Sequence, residues 1–190
     1  MNYVRGFLPW LAFSVVAARI DWRYSALVGL AVAAALLLWD RWARRPLDAS
    51  TIQLSAAVFF GLLALFAFAV PDSPLRTGAI ALSSGWLALT AWASLIARRP
   101  FTLGIAKQMA DPARWHDPRF VRVNVTITTV WAVSFTAATI ALAAVLAYAP
   151  GSTVALVAVK AIAWAVPMTF TLYYPAVLRA RAARTAHEPT

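Results

Sequence analysis

The sequence predicts an all-α, polytopic integral membrane protein with about six transmembrane helices arranged as three hairpins. The first observation is that the apolar residues form long blocks, above all 51–70, 78–97, 123–149 and 153–178. About 20 apolar residues in a helix cross a hydrocarbon core of about 30 Å. The second observation is composition, because 62% of the 190 residues are hydrophobic and the mean hydropathy is +0.71. That is too apolar for a soluble domain, so we expect one transmembrane helical domain over 1–190.

The third observation is the uneven distribution of the 17 Lys and Arg residues between the two ends of the predicted helices. Cytoplasmic loops carry the excess of Lys and Arg in membrane proteins, so we expect both termini to be cytoplasmic. Lys160 lies within a helix; the other sixteen divide into Arg19, Arg23 and Arg76 on one side, and Arg5, Arg41, Arg44, Arg45, Arg98, Arg99, Lys107, Arg114, Arg119, Arg122, Arg179, Arg181 and Arg184 on the other.

The first two helices are predicted at about 7–20 and 24–39. The first is short, and Pro9 fits the first turn of a helix, so we expect a short or tilted membrane helix. The same stretch could instead be the core of a signal peptide, because Arg5 precedes it and small residues follow it. The sequence leaves open whether this first helix is retained.

The other four helices are predicted at about 51–70, 78–97, 123–149 and 153–178. Pro-rich turns follow the first and third of them, and a longer loop at 98–122 joins the middle two. Ala-Arg-Arg-Pro ends both the second and the fourth helix. Cations suit helix C-termini and Pro stops a helix, which is sufficient to explain this short repeat. Duplication of a hairpin is the alternative.

Composition also excludes several kinds of site. The chain has no Cys, so thiolate catalysis, disulfides and zinc-thiolate sites are excluded. The two His residues lie outside the apolar blocks, and the seven acidic residues form no close pair on a membrane face. No phosphate-binding Gly loop or hydrolase motif occurs. We therefore expect a protein that is not an enzyme, binds no metal or cofactor, and does not bind nucleic acid.

The loop at 98–122 is the first candidate site, because it combines basic and aromatic residues. Phe101, Ile105 and Met109 recur at a spacing of four, which predicts a short helix lying on the membrane. Lys107 would reach lipid headgroups from that helix. The alternatives are a connector that binds anionic lipid without specificity and a loop that docks a partner. The candidate lipid- or partner-binding residues are Arg98, Arg99, Pro100, Phe101, Lys107 and Trp115.

The second candidate site is a polar groove formed by Asn124, Thr128, Trp131 and Lys160. The first three residues share one face of the fifth helix. The stripe predicts either hydrogen bonds between packed helices or a groove that binds substrate. Lys160 is the charge that lies well inside a membrane block, where it would either snorkel to the interface or face the bundle beside an acidic, phenolic or anionic partner.

Several features occur in the order known from one family of membrane proteins. The chain opens with Phe7-Leu8-Pro9, and Arg98-Arg99-Pro100 follows the fourth helix; after these come Lys107, Trp115, Asn124, Trp131 and Phe135. In these features the chain resembles the bacterial intracellular septation protein A family, also called inner membrane-spanning proteins, which are small and polytopic. The resemblance implies a place in the bacterial inner membrane and a role in envelope maintenance and septation, and it implies no catalytic residue.

These observations lead to two functional expectations. The first is a non-enzymatic inner-membrane protein that supports envelope maintenance or septation by contacting anionic lipids and cell-division or wall-synthesis proteins. The alternative is a small transporter or flippase for an anionic solute or lipid. The sequence leaves the oligomeric state and the identity of any ligand open.

Overall fold

A computed structural model describes residues 5–17, 19–46 and 50–185 of the chain. These residues form helices and turns and contain no strand, which confirms the all-α prediction. The helices are α1 (Leu8–Ala17), α2 (Trp22–Trp42), α3 (Thr51–Ala69), α4 (Leu75–Ile96), α5 (Phe101–Lys107), α6 (Pro118–Tyr148) and α7 (Thr153–Thr185), with a 3₁₀ turn at Pro112–Arg114.

Five of these helices are long and apolar enough to cross a membrane: α2, α3, α4, α6 and the part of α7 from Thr153 to Ala180. A multi-pass arrangement is therefore supported by length and composition. The predicted sixth crossing corresponds to α1, which has ten residues. At a rise of 1.5 Å per residue, α1 is about 15 Å long and covers about half of a hydrocarbon core.

Neighbouring long helices pack side by side in opposite directions. The indole nitrogen of Trp22 at the start of α2 donates a hydrogen bond to the carbonyl of Pro71 just after α3, at 3.2 Å. Midway along this pair, a Cβ on Gly29 would lie only 2.7 Å from the ring of Phe60, so glycine permits the close approach. α4 and α6 meet similarly, since the indole of Trp92 donates to the hydroxyl of Thr136 at 3.1 Å.

This arrangement gives the bundle two ends. The end that carries the C-termini of α2 and α4, α5, and the N-terminus of α6 is called the basic end below. The other, called the opposite end, carries the link between α1 and α2 and the turns between α3 and α4 and between α6 and α7. α1 runs from the basic end, where Arg5 contacts Asp40, towards the opposite end, where Arg19 follows it.

An aromatic cluster fills the centre of the bundle. The buried ring of Phe7 stacks on Trp131 with 4.8 Å between ring centroids and meets Trp164 edge-on at 4.5 Å. Phe135 and Phe101 contact the same group. The cluster joins the segment before α1 to α5, α6 and α7, so burial of aromatic surface holds the short first helix against the long ones.

The two Ala-Arg-Arg-Pro segments have the same backbone geometry. The amide of Arg45 donates to the carbonyl of Asp40, and that of Arg99 donates to the carbonyl of Ser94, each at 2.9 Å. Arg44 and Arg98 adopt left-handed conformations, with φ of 51° and 55°. This six-residue closure, together with a left-handed residue, is the Schellman arrangement that ends many helices.

Candidate functional site

Exposed arginine side chains cover the basic end. Two aromatic side chains beside them are also exposed, Trp39 at 56% and Trp42 at 79%. Indole rings of this kind lie at the level of lipid headgroups in membrane proteins. Seven exposed arginines belong to the helix ends and the loop that define the basic end: Arg41, Arg44, Arg98, Arg99, Arg114, Arg119 and Arg122. Arg179 and Arg184, near the end of α7, are exposed as well.

The acidic residues described at this end are occupied within the fold. The carboxylate of Asp111 accepts a hydrogen bond from the amide of Ala113 at 2.9 Å, and that of Asp117 accepts one from the amide of Arg119 at 2.8 Å. Each therefore caps the start of a helical segment. Among the described residues, no carboxylate lies within ion-pair distance of the seven exposed arginines, so their charge is available to ligands outside the chain.

The remaining acid of the basic end, Asp40, lies at the centre of a buried polar cluster. Its carboxylate is 2.9 Å from the guanidinium of Arg5 and 3.7 Å from that of Arg45. Ser50 and Gln53 at the start of α3 donate hydrogen bonds to the other carboxylate oxygen at 3.0 and 3.3 Å. The first oxygen, Oδ1 of Asp40, accepts no hydrogen bond, so its contacts with the two guanidinium groups are ion pairs only. Only 3% of Asp40 is exposed.

The predicted membrane-lying helix is instead part of the bundle, which corrects the prediction for Pro100, Phe101 and Ile105. All three are buried, and the ring of Phe101 contacts Phe7 at 6.3 Å between centroids. The spacing of four was correct for a helix face, but this face packs on protein. The physical reason is that the Phe101 ring finds aromatic partners inside the bundle, namely Phe7 and Trp131.

The remaining predicted loop residues lie at the surface. Arg98 and Arg99 are exposed, as a lipid-facing site requires. The ammonium of Lys107 lies 5.6 Å from the ring centre of Trp115, within cation–π range. The indole nitrogen of Trp115 donates to the carbonyl of Ala110 at 3.2 Å, which fixes the ring against the loop.

Asn124 and Thr128 are fully buried. The hydroxyl of Thr102 in α5 contacts that of Thr128 at 2.7 Å and donates to the backbone carbonyl of Asn124 at 2.9 Å. The amide nitrogen of Asn124 donates to the carbonyl of Phe120 at 2.9 Å. The polar stripe therefore fastens α5 to α6, which is the hydrogen-bonding alternative from the sequence. Thr102 was not predicted as a site residue.

Trp131, the third member of the predicted groove, is also fully buried. Its indole nitrogen donates to the hydroxyl of Thr171 at 2.9 Å, and Thr171 donates to the carbonyl of Pro167 at 2.7 Å. Trp131 therefore holds α6 against α7.

Lys160 does not join the polar stripe by any hydrogen bond within the described chain. Its ammonium donates to the hydroxyl of Ser14 in α1 at 2.9 Å and contacts that of Ser83 in α4 at 3.4 Å. The side chain is half-buried and faces the bundle. Of the two alternatives from the sequence, snorkelling to the interface or facing the bundle, these contacts correspond to the second, and both described partners are neutral hydroxyls. Ser14 and Ser83 carried no signal in the sequence that distinguished them from other small residues.

Comparisons with known proteins add no further assignment. No protein-family model, no curated protein and no solved structure matches the chain. Within the described residues, no group of three His, Asp or Glu side chains lies close enough to hold a metal ion. Membership of the septation protein family therefore stays a prediction.

Proposed function

We propose that this chain is a non-enzymatic protein of the bacterial inner membrane that binds anionic lipid headgroups at its basic end and supports envelope maintenance or septation there. The observation that carries the proposal is the set of seven exposed arginines with no described carboxylate in ion-pair distance. Guanidinium groups bind phosphate oxygens in pairs, and anionic headgroups supply such oxygens at the required depth.

The charge of the two ends supports this reading. By sequence, the basic end has thirteen Lys and Arg residues against five Asp and Glu residues, which leaves eight positive charges. The opposite end has three against two and is almost balanced. The negative surface potential of the cytoplasmic leaflet attracts such a concentration of cations. On this basis the basic end faces the cytoplasm, and both chain termini lie on that side.

The role in the envelope rests on the resemblance to the septation protein family. Its partners would be cell-division or wall-synthesis proteins that meet the basic end beside the lipid headgroups. Arg114 and Arg119 project from the exposed part of the loop, whereas Phe101 is buried. A photo-crosslinking side chain should therefore be placed at Arg119 to capture a partner in living cells.

Lipid binding is tested with the pair of arginines that ends α4. Each cation near an anionic surface contributes about 1 kcal/mol, which is about fivefold in affinity. The variant Arg98→Gln with Arg99→Gln should lower the preference for phosphatidylglycerol over phosphatidylcholine several-fold, measured by electron paramagnetic resonance of spin-labelled lipids. The matched control, Arg98→Lys with Arg99→Lys, keeps both charges and should retain most of the preference. Equal preferences in all three proteins would contradict the proposal.

The cellular role is tested by complementation. A bacterial strain that lacks the protein should regain normal septation and envelope integrity with the wild-type chain and with the lysine pair. It should regain less with the glutamine pair at equal membrane abundance. Full rescue by the glutamine pair would show that these charges are not needed for the role.

The orientation is tested by cysteine labelling, since the chain has no Cys of its own. Asp72 and Ala113 are exposed at the opposite end and the basic end respectively. An impermeant maleimide applied to intact cells should label Asp72→Cys once the outer membrane is permeable. It should label Ala113→Cys only after the inner membrane is opened. The reverse pattern would overturn the proposed topology.

A second candidate function, transport of an anionic solute or lipid, is favoured by one observation. Lys160 holds a cation among neutral hydroxyls inside the bundle. Asn124, Thr128 and Trp131 give it no support, because they are packed against protein. Flux of organic phosphate into proteoliposomes tests this function, and Lys160→Met should lower that flux. Absence of flux in the wild-type chain would remove the candidate.

A further inference from the structure

A cavity of about 480 Å³ opens at the opposite end of the bundle, in a part of the molecule that the proposed function does not use. Such a volume is within the range of ligand pockets. Its walls come from the last turns of α1 and the first turns of α4, with the link between α1 and α2 at the mouth. The residues that line it include Phe13, Ala17, Arg19, Arg76, Ala79 and Ile80.

The mouth of the cavity carries two arginines, Arg19 and Arg76, and one acid, Asp21. The carboxylate of Asp21 is ion-paired with the guanidinium of Arg23 at 2.8 Å and accepts from the amide of Arg23 at 3.0 Å. Arg19 and Arg76 are exposed, and no described carboxylate lies within ion-pair distance of either one. Two guanidinium groups therefore border the same opening.

A third cation, Lys160, is linked to the cavity wall by hydrogen bonds. Ile80, which lines the cavity, accepts a hydrogen bond at its carbonyl from the hydroxyl of Ser83 at 2.7 Å. Ser83 in turn contacts the ammonium of Lys160, which also donates to Ser14, the residue that follows Phe13 of the cavity wall. Since α4 begins at the opposite end, Ser83 is about one helical turn deeper in the bundle than Ile80. The oxygens of Ser14 and Ser83 are neutral and leave the charge of Lys160 uncompensated.

We propose that this cavity binds the phosphate group of a small phosphoester, with Arg19 and Arg76 at its mouth and the Lys160 ammonium beneath it. Guanidinium groups match the geometry of phosphate oxygens, and three cations favour phosphate over a singly charged carboxylate. The apolar walls formed by Phe13 and Ile80 accommodate the organic part of the ester. This site is independent of the basic end, so either proposal can fail without the other.

The phosphate group can come from a lipid headgroup or from a soluble phosphoester, and two measurements distinguish these sources. In the first, the full chain in a neutral detergent is titrated with inorganic phosphate and followed by phosphorus NMR. In the second, the chain is taken from nanodiscs of phosphatidylglycerol and phosphatidylcholine, and native mass spectrometry counts the phospholipids that remain bound. Both use Arg76→Gln, which removes the charge, and the matched variant Arg76→Lys, which keeps it.

We expect Arg76→Gln to weaken phosphate binding roughly tenfold, because a charge-assisted hydrogen bond is lost, and Arg76→Lys to retain most of it. Saturable binding of phosphate with this pattern supports a soluble source. Loss of one retained phospholipid in Arg76→Gln but not in Arg76→Lys supports a lipid source. If Arg76→Gln matches the wild-type chain in both measurements, the site does not exist.

The role of the deeper cation is tested by Lys160→Met, which removes the charge and keeps a long side chain. It should weaken the same binding as Arg76→Gln does. Lys160 is half-buried, so its variant is interpreted only where the helical content matches that of the wild-type chain. Arg76 is exposed, so its substitution disturbs no buried contact and the test with Arg76→Gln does not depend on that condition.

Discussion

Replacing Asp40 with asparagine should lower the free energy of unfolding by about 3 kcal/mol. The carboxylate is 4% exposed and Arg5, its closest cation at 2.9 Å, is 19% exposed. At an effective dielectric constant of about 20, a pair of charges about 4 Å apart attracts by about 4 kcal/mol. Asparagine keeps an acceptor for Ser50 but leaves the cation without its counter-charge.

The measurement is reversible unfolding in a mild detergent, followed by the fluorescence of the tryptophans. Asp111→Asn is the matched control, because asparagine caps a helix about as well as aspartate does, so its free energy of unfolding should stay near that of the wild-type chain. The double variant Arg5→Gln with Asp40→Asn removes both charges. It should be less unstable than the sum of the single variants, because no unpaired buried charge remains.

The reasoning would be refuted if Asp40→Asn and Asp111→Asn unfolded within about 1 kcal/mol of each other. That result would mean that water reaches Arg5 and solvates it when the carboxylate is removed. Additive effects of the two single substitutions would contradict the pairing in a second way, since residues that interact directly are expected to show coupling.

Two further predictions concern the opposite end and the middle of the bundle. Gly29→Ala should destabilise the protein by about 1–3 kcal/mol, because its new Cβ would lie 2.7 Å from the Phe60 ring. Gly78→Ala, whose new Cβ would have no atom within 4 Å, should instead stabilise α4 by up to about 1 kcal/mol. Thermal unfolding of both variants distinguishes these outcomes. The side chain and then the amide of Arg23 hold the pKa of Asp21 below its ordinary value of 3.8. A lowered carboxyl pKa contributes stability that is present above the ordinary pKa and is lost as pH falls below it. Hydrogen exchange at the Arg23 amide should therefore accelerate below about pH 4 in the wild-type chain. In Asp21→Asn the exchange rate should show only its intrinsic dependence on pH.

The helices could be predicted from sequence because each rests on a local signal. Apolar blocks of membrane length gave five of them, and Pro-rich turns marked their ends. The first helix was also found, but its predicted end at about residue 20 lies beyond Ala17, where α1 ends. Periodicity correctly identified a helix at Phe101–Lys107, but it cannot distinguish a face packed on lipid from one packed on protein.

The site was harder to predict because its contacts join distant parts of the chain. Asp40 reads as an interfacial acid until Arg5 and Gln53 are placed beside it in space. The two hydroxyls around Lys160 come from helices 146 and 77 residues away in sequence. Exposure of Arg98 and Arg99 was correctly anticipated, since charge at a helix end needs no tertiary contact to remain at the surface.

The left-handed arginines at the ends of α2 and α4 have a consequence for how the chain is constrained. A side chain in this conformation costs about 1 kcal/mol or more, and glycine would avoid that cost at Arg44 and Arg98. If the guanidinium groups serve lipid binding, then stability and membrane attachment oppose one another at these two positions. Glycine at either position should give a protein that melts later and holds anionic lipid less well. A search for sturdier variants by thermal screening alone would therefore select against the property that the basic end provides.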